Sequence, residues 1–249
     1  MRGRQCGILH SAQNDKPYSG DTRMTQDEAK RLVAKRAAEF VQDGMAVGLG
    51  TGTTATLFIR ELAERKLNIR CVASSDASQE LGRSLGMRVE TLQELPELDV
   101  YIDGADEVCS SSGGLDLIKG GGGALLREKI VASAAREFIV VVDSSKLVKV
   151  LGKFPLPVEV IRMALPLVEP RLAALGMNPK LRQAKDGGGP YITDEGNYIL
   201  DCACGSIPEP ESAAAEIRSI VGVVEHGFFL GMATLALVAG EDGVTEFRA

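Results

Sequence analysis

Four short stretches gather the residues that could do chemistry. The first is Gly48, Leu49, Gly50, Thr51, Gly52, Thr53 and Thr54. Small residues let a backbone come close to an anion, and a helix starting behind them would offer free N–H groups to phosphate oxygens. The hydroxyls of Thr51, Thr53 and Thr54 add donors. A plain strand-to-helix turn with threonine caps fits the same residues. No Lys-Ser or Lys-Thr pair follows, so this is not a nucleotide P-loop, and the glycine spacing does not suit a dinucleotide fingerprint.

The second stretch is Asp103, Gly104, Ala105, Asp106 and Glu107. Three carboxylates in five residues repel one another and cost stability unless paired or solvated. A solvated acidic turn, a magnesium site and an acid–base centre for sugar hydroxyls all fit this pattern. The third is Lys119 followed by Gly120, Gly121, Gly122 and Gly123, then Ala124 through Arg127, Glu128 and Lys129. Four glycines lose much backbone entropy on folding, more than a plain turn requires, which points to a ligand-facing loop. Lys119 is placed to meet a negative oxygen. Glu128 lies one to two turns into the next helix, where an exposed glutamate is the ordinary outcome. Chemistry alone does not select it over Glu107. The fourth stretch is Asp143, Ser144, Ser145 and Lys146.

The elements that must position these residues alternate between strand and helix. Thr25 and Glu28 fit a capping box, and the apolar positions from Ala29 to Val41 fall on one helical face before Gly44. Strands are expected at 45–49, 69–74, 100–102, 115–118 and 138–142. Helices are expected at 54–65, at 76–85 with Asp76 as cap, and from the glycine run to about residue 135. Each polar stretch thus follows a strand, and strands alternating with helices imply a mainly parallel sheet covered on both faces. Ligands bind such sheets at the carboxyl ends of the strands. From Gly152 the pattern changes. Phe154 to Pro157 reads as a stiff linker. Helices at 167–175 and 208–220, with strands at 181–184, 191–193 and 198–202, suggest a small α+β, ferredoxin-like layer. An apolar strand at 234–239 is placed to return to the first sheet. The expected domains are 24–151, 152–222 and a return over 223–249.

The chain has 249 residues, 45% of them apolar, and a formal net charge of −6. That balance argues against nucleic-acid binding, which needs a basic surface, while leaving room for one basic pocket. No apolar run approaches the roughly 20 residues of a membrane span. Five cysteines form no framework, and no Cys or His group near Cys202 and Cys204 completes a zinc site. Unpaired thiols suit a cytoplasmic location. Residues 1 to 23 are polar and turn-rich and read as a disordered extension, with an organelle transit peptide as the lesser reading.

Taken together, Gly50-Thr51-Gly52-Thr53-Thr54, Ser74-Ser75-Asp76, Asp103 to Glu107, Lys119 to Lys129, Asp143 to Lys146 and Gly152 to Glu159 resemble type A ribose-5-phosphate isomerases over residues 24 to 249. The resemblance implies a Rossmann-like α/β domain with a smaller α+β lid. It implies aldose–ketose isomerisation of a small sugar phosphate through an enediolate, without cofactor or metal, in a homodimer or homotetramer. Glu128 would shuttle a proton between C1 and C2, and Lys119 would stabilise the enediolate. Asp103 and Asp106 would serve the hydroxyls. Thr51, Gly52, Thr53, Thr54, Gly104, Ala105, Gly120, Gly121 and Gly122 would line the substrate pocket. Lys146, helped by Lys30, would meet the phosphate. The second reading is a non-catalytic sugar-phosphate sensor, or another sugar-phosphate isomerase of the same fold group. One departure is Thr234, where the family pattern suggests an acidic residue.

Overall fold

The computed structural model describes residues 24–111 and 114–249; the expected extension at 1–23 lies outside them. In chain order the elements are α1 (Gln26–Ala38), β1 (Ala46–Leu49), α2 (Thr53–Glu64), β2 (Arg70–Ala73), α3 (Asp76–Ser84), β3 (Arg88–Glu90) and β4 (Leu98–Asp103). Next come β5 (Glu107–Ser111), β6 (Gly114–Ile118), α4 (Leu125–Ser133), β7 (Ala135–Asp143), β8 (Leu147–Val148), β9 (Leu156–Val160) and α5 (Leu165–Ala174). The chain ends with β10 (Pro179–Leu181), β11 (Tyr198–Cys202), α6 (Pro210–Arg218), β12 (Val223–His226), β13 (Phe228–Phe229), β14 (Leu235–Gly240) and β15 (Gly243–Arg248).

The main sheet has seven strands in the order β15-β14-β7-β4-β1-β2-β3. All of its pairs are parallel except the β14–β15 hairpin. Alternate residues of its strands serve opposite faces. Val100 and Ile102 pack with Val33, Phe58 and Leu62 of α1 and α2, while Tyr101 packs with Val131 of α4, Leu117 and Phe229. The capping box at Thr25 is present in both directions. The expected strand at 234–239 joins this sheet beside β7. Helix α3 is capped by Ser75, whose side chain accepts from Ser78 N, and not by Asp76. Asp76 is instead the first helical residue, where a negative charge complements the helix dipole.

A second sheet runs β10-β11-β9-β12, antiparallel throughout. Its βαββαβ connection and strand order are ferredoxin-like, with Val168, Leu172 and Ile217 of α5 and α6 packed on Val158, Val160 and Leu200. The stretch expected to be a stiff linker contributes to its buried strand β9. Proline is tolerated at Pro157 because β12 ends at the previous register position, and the Pro157 carbonyl accepts from Gly227 N. The expected return at residue 223 falls inside β12, which still pairs with β9; Phe228 is the first residue to pair elsewhere. Residues 191–193 form no strand. Tyr191 N donates to Arg182 O and Thr193 N to Asn197 O, in an irregular hairpin that leans toward the glycine run. A third sheet, β13-β6-β5-β8, joins the other two.

Candidate active site

The main sheet changes direction between β1 and β4. From β1 the chain moves outward to β2 and β3, whereas β4 lies on the other side. The loops leaving these two strands diverge and open a crevice at their carboxyl ends. Gly50 follows β1 and Asp103 ends β4. A Cβ on Gly50 would overlap the Asp103 carboxylate, so a glycine here lets the two strand ends close together.

Asp103 is fully buried. Its Oδ1 accepts from Thr51 N at 2.9 Å and Gly104 N at 2.7 Å. Its Oδ2 accepts from Lys119 Nζ at 2.7 Å and from the Tyr101 hydroxyl. Lys119 also donates to Gly104 O at 2.6 Å. Glu128, on the first turn of α4, brings Oε2 to 3.3 Å from Lys119 Nζ, yet that oxygen has no aligned hydrogen-bond partner. Burial is the main influence on Glu128 and pushes its carboxyl up to about 8, against the pull of Lys119 and with the help of Asp103. Burial pulls the Lys119 ammonium down, but Asp103 and Glu128 outweigh it and hold it above its usual value. Three ionisable groups thus share one dry contact, with the proton affinity of the glutamate set near neutrality.

A cavity of about 290 Å³ opens in front of Lys119. Its wall carries Lys30, Thr51, Gly52, Thr53, Thr54, Gly104, Ala105, Asp106, Gly122 and Lys146, as expected, together with Val142, Asp143 and Lys185. Helix α2 opens on Gly52 without a side-chain cap bond, which leaves first-turn N–H groups for an anion. Lys185, on the hairpin of the second sheet, carries no signal in the sequence, because a lysine among Asp186 and glycines reads as ordinary loop. Asp103 and Glu128 are not among the residues lining this cavity; both contact Lys119, which is.

The glycine run has a different explanation from the one its entropy suggested. Gly120 and Gly121 do not line the cavity. A Cβ on Gly120 would sit 2.8 Å from Leu125, one on Gly121 2.6 Å from Asp106 Oδ1, and one on Gly123 against the Tyr191 hydroxyl. Close packing accounts for three of the four glycines, and Gly122 faces the crevice. Glu107 is also resolved. Its carboxylate accepts from Gly152 N at 2.7 Å and Phe154 N at 2.6 Å, so it ties β5 to the segment before β9. Among the described residues no group of three or more His, Cys, Asp and Glu side chains forms a metal-binding cluster.

A family model described as ribose 5-phosphate isomerase A (phosphoriboisomerase A) matches residues 70–243. Ribose-5-phosphate isomerase A of Synechococcus sp. (strain JA-3-3Ab) is 48% identical, over 89% of this chain and 97% of its own. The chain belongs to the ribose 5-phosphate isomerase A family. The solved family member from Methanocaldococcus jannaschii superposes with a TM-score of 0.85 at 42% identity, covering 90% of this chain and 100% of that one. A D-ribose-5-phosphate isomerase in complex with phospho-erythronic acid gives 0.86 at 36% identity, over 91% and 100%. A second model, the DeoR C-terminal sensor domain, matches only residues 25–89. That match stops before Asp103, Lys119 and Glu128, and so does not favour the sensor reading. Thr234, read from the sequence as a departure from the family pattern, bonds through N and Oγ1 to Phe138 O at the start of β14, away from the crevice.

Proposed function

We propose that this chain interconverts D-ribose 5-phosphate and D-ribulose 5-phosphate through an enediolate, with Glu128 as the proton shuttle. Glu128 takes the proton from C2 of the open-chain aldose and returns it to C1, while the hydroxyl proton moves between the two oxygens. Lys119 holds the oxyanion that develops in between. Asp103, with four donors on its oxygens, orients Lys119, and Asp106 on the cavity wall serves the sugar hydroxyls. Lys30, Lys146, Lys185 and the start of α2 form a basic end for the phosphate. Its binding energy holds the reacting carbons in register. The carrying observation is the buried contact of Glu128, Lys119 and Asp103 at the foot of a lysine-lined cavity.

The test is ribulose 5-phosphate formation from ribose 5-phosphate in EDTA, for wild type and Glu128→Gln. A misplaced or absent proton shuttle typically costs about 100- to 10,000-fold, and a loss of that size in a folded variant is expected. Glu128→Gln activity within tenfold of wild type would overturn the assignment. Loss of wild-type activity in EDTA with recovery in magnesium would overturn the metal-free mechanism.

We further propose that residues 24–151 and the C-terminal return form the catalytic domain and the ferredoxin-like layer its lid, and that the protein works in the cytoplasm as a homodimer or homotetramer. The free thiols of Cys71, Cys109, Cys202 and Cys204 support the compartment. Exposed Ile161, Met163, Leu167 and Val221 on the small layer support self-association; light scattering gives the assembly size.

A further inference from the structure

Glu128 is not held in place by its own hydrogen bonds. Its Oε2 has no aligned partner, and its contact with Lys119 is a 3.3 Å ion pair. The carboxylate therefore takes its position from the backbone of α4. What fixes that helix about its own axis lies on the neighbouring residues, which point about 100° to either side. Arg127 reaches Asp76, Asp194 and Glu195, but these are partly exposed pairs that solvent screens. Lys129 is different. It is buried, and its Nζ donates to Glu225 Oε1 at 2.9 Å and to His226 O at 2.7 Å on β12. It also lies 4.9 Å from the centre of the Phe229 ring, whose environment it shares with Lys119 at 5.4 Å. The next residues of the same segment are bonded to the active site itself, since Gly227 O accepts from Lys119 N.

We infer that Lys129 is a positioning residue for proton transfer: its bonds to Glu225 and His226 fix the rotation of α4 and thereby aim the Glu128 carboxylate. The inference rests on the assignment of Glu128 as the shuttle. The titratable and charged groups around Lys129 are Glu225 and His226 of β12, Arg218 and Glu211 of α6, and Lys119 across Phe229. Arg218 also pairs with Glu225, at 2.9 Å, so truncating Lys129 leaves that carboxylate a cationic partner.

The experiment measures kcat, KM and the pH profile of Lys129→Met, alone and on a Glu128→Gln background. A displacement of about 1 Å can cost on the order of 100-fold. The expected result is a fall in kcat of about 10- to 100-fold, KM within about threefold, and a shifted acid limb in the pH profile. On the Glu128→Gln background the further loss should shrink to about twofold or less, because no carboxylate remains to be aimed. A kcat within about threefold of wild type, or an equal loss on both backgrounds, overturns the inference. Should Lys129→Met not fold, Glu225→Gln keeps an acceptor beside Lys129 and is read against the same background. Near-wild-type activity of Glu128→Gln itself refutes the shuttle assignment; an inert Lys129 beside an essential Glu128 refutes this inference alone.

Discussion

At the scale of single residues, the site works by withholding water. Glu128 has a carboxyl pushed up to about 8, first by burial. A base must be ionised to accept a proton, so with Glu128 as the proposed shuttle the competent fraction of the free enzyme falls about tenfold for each pH unit below that value. We predict that kcat/KM for ribose 5-phosphate rises with pH through about 8 and levels above it, and that this limb is absent from the residual activity of Glu128→Gln. A limb with a midpoint near 4.5, the ordinary glutamate value, would show that the carboxylate is solvated in the free enzyme. Tyr101 belongs to the same logic. Burial, and then Asp103, raise its hydroxyl far above the usual range, so it remains a donor to the Asp103 carboxylate.

At the scale of elements, Glu107 separates structural from catalytic acidity. The two N–H groups it accepts lie at the entry to β9, and hydrogen bonds to a buried charge contribute about 1.5–3 kcal/mol each. Glu107→Gln keeps one acceptor and loses the other. We expect urea unfolding to show a loss of about 2 kcal/mol, with kcat of the folded variant within twofold of wild type. A large fall in kcat would mean that Glu107 reaches the reacting carbons. This division was hidden in the sequence, where Asp103, Asp106 and Glu107 look alike. What the sequence did carry was every strand-to-loop transition of the crevice: Leu49 into Gly50, Ile102 into Asp103, Ile118 into Lys119 and Val142 into Asp143. Those transitions are local, set by apolar runs that stop at polar residues. The misreadings were non-local. Pro155 and Pro157 suggest a linker until β12 is seen to end where the proline would need a partner. Glu107 to Ser111, given no element from its sequence, is a strand because β6 and β8 flank it. Lys185 enters the cavity from another layer, and no spacing along the chain announces that.

At the scale of the whole molecule, the junction between the layers responds to acid. His226 is buried in the last position of β12, and burial, then the nearby Lys129 ammonium, lower its pKa to about 4, against the pull of Glu225. The unfolded chain binds this proton near 6.5 and the folded chain near 4. The stability that His226 contributes is therefore complete above about 6.5 and is lost as the pH falls toward 4. The loss is on the order of 3 kcal/mol at 1.36 kcal/mol per unit. Thermal melts of wild type and His226→Gln between pH 7 and 4 check this: the wild type should lose stability more steeply on acidification, and parallel curves would remove His226 as the cause. The same junction has a genetic consequence. Strands β9 and β12 are hydrogen-bonded neighbours, and Gly227 N reaches Pro157 O at 2.8 Å. The chain thus enters and leaves the ferredoxin-like layer through one doorway. An insertion of coding sequence at a single surface turn is enough to add that layer without cutting the seven-stranded sheet, and with it comes Lys185, which reaches the cavity wall from the added layer.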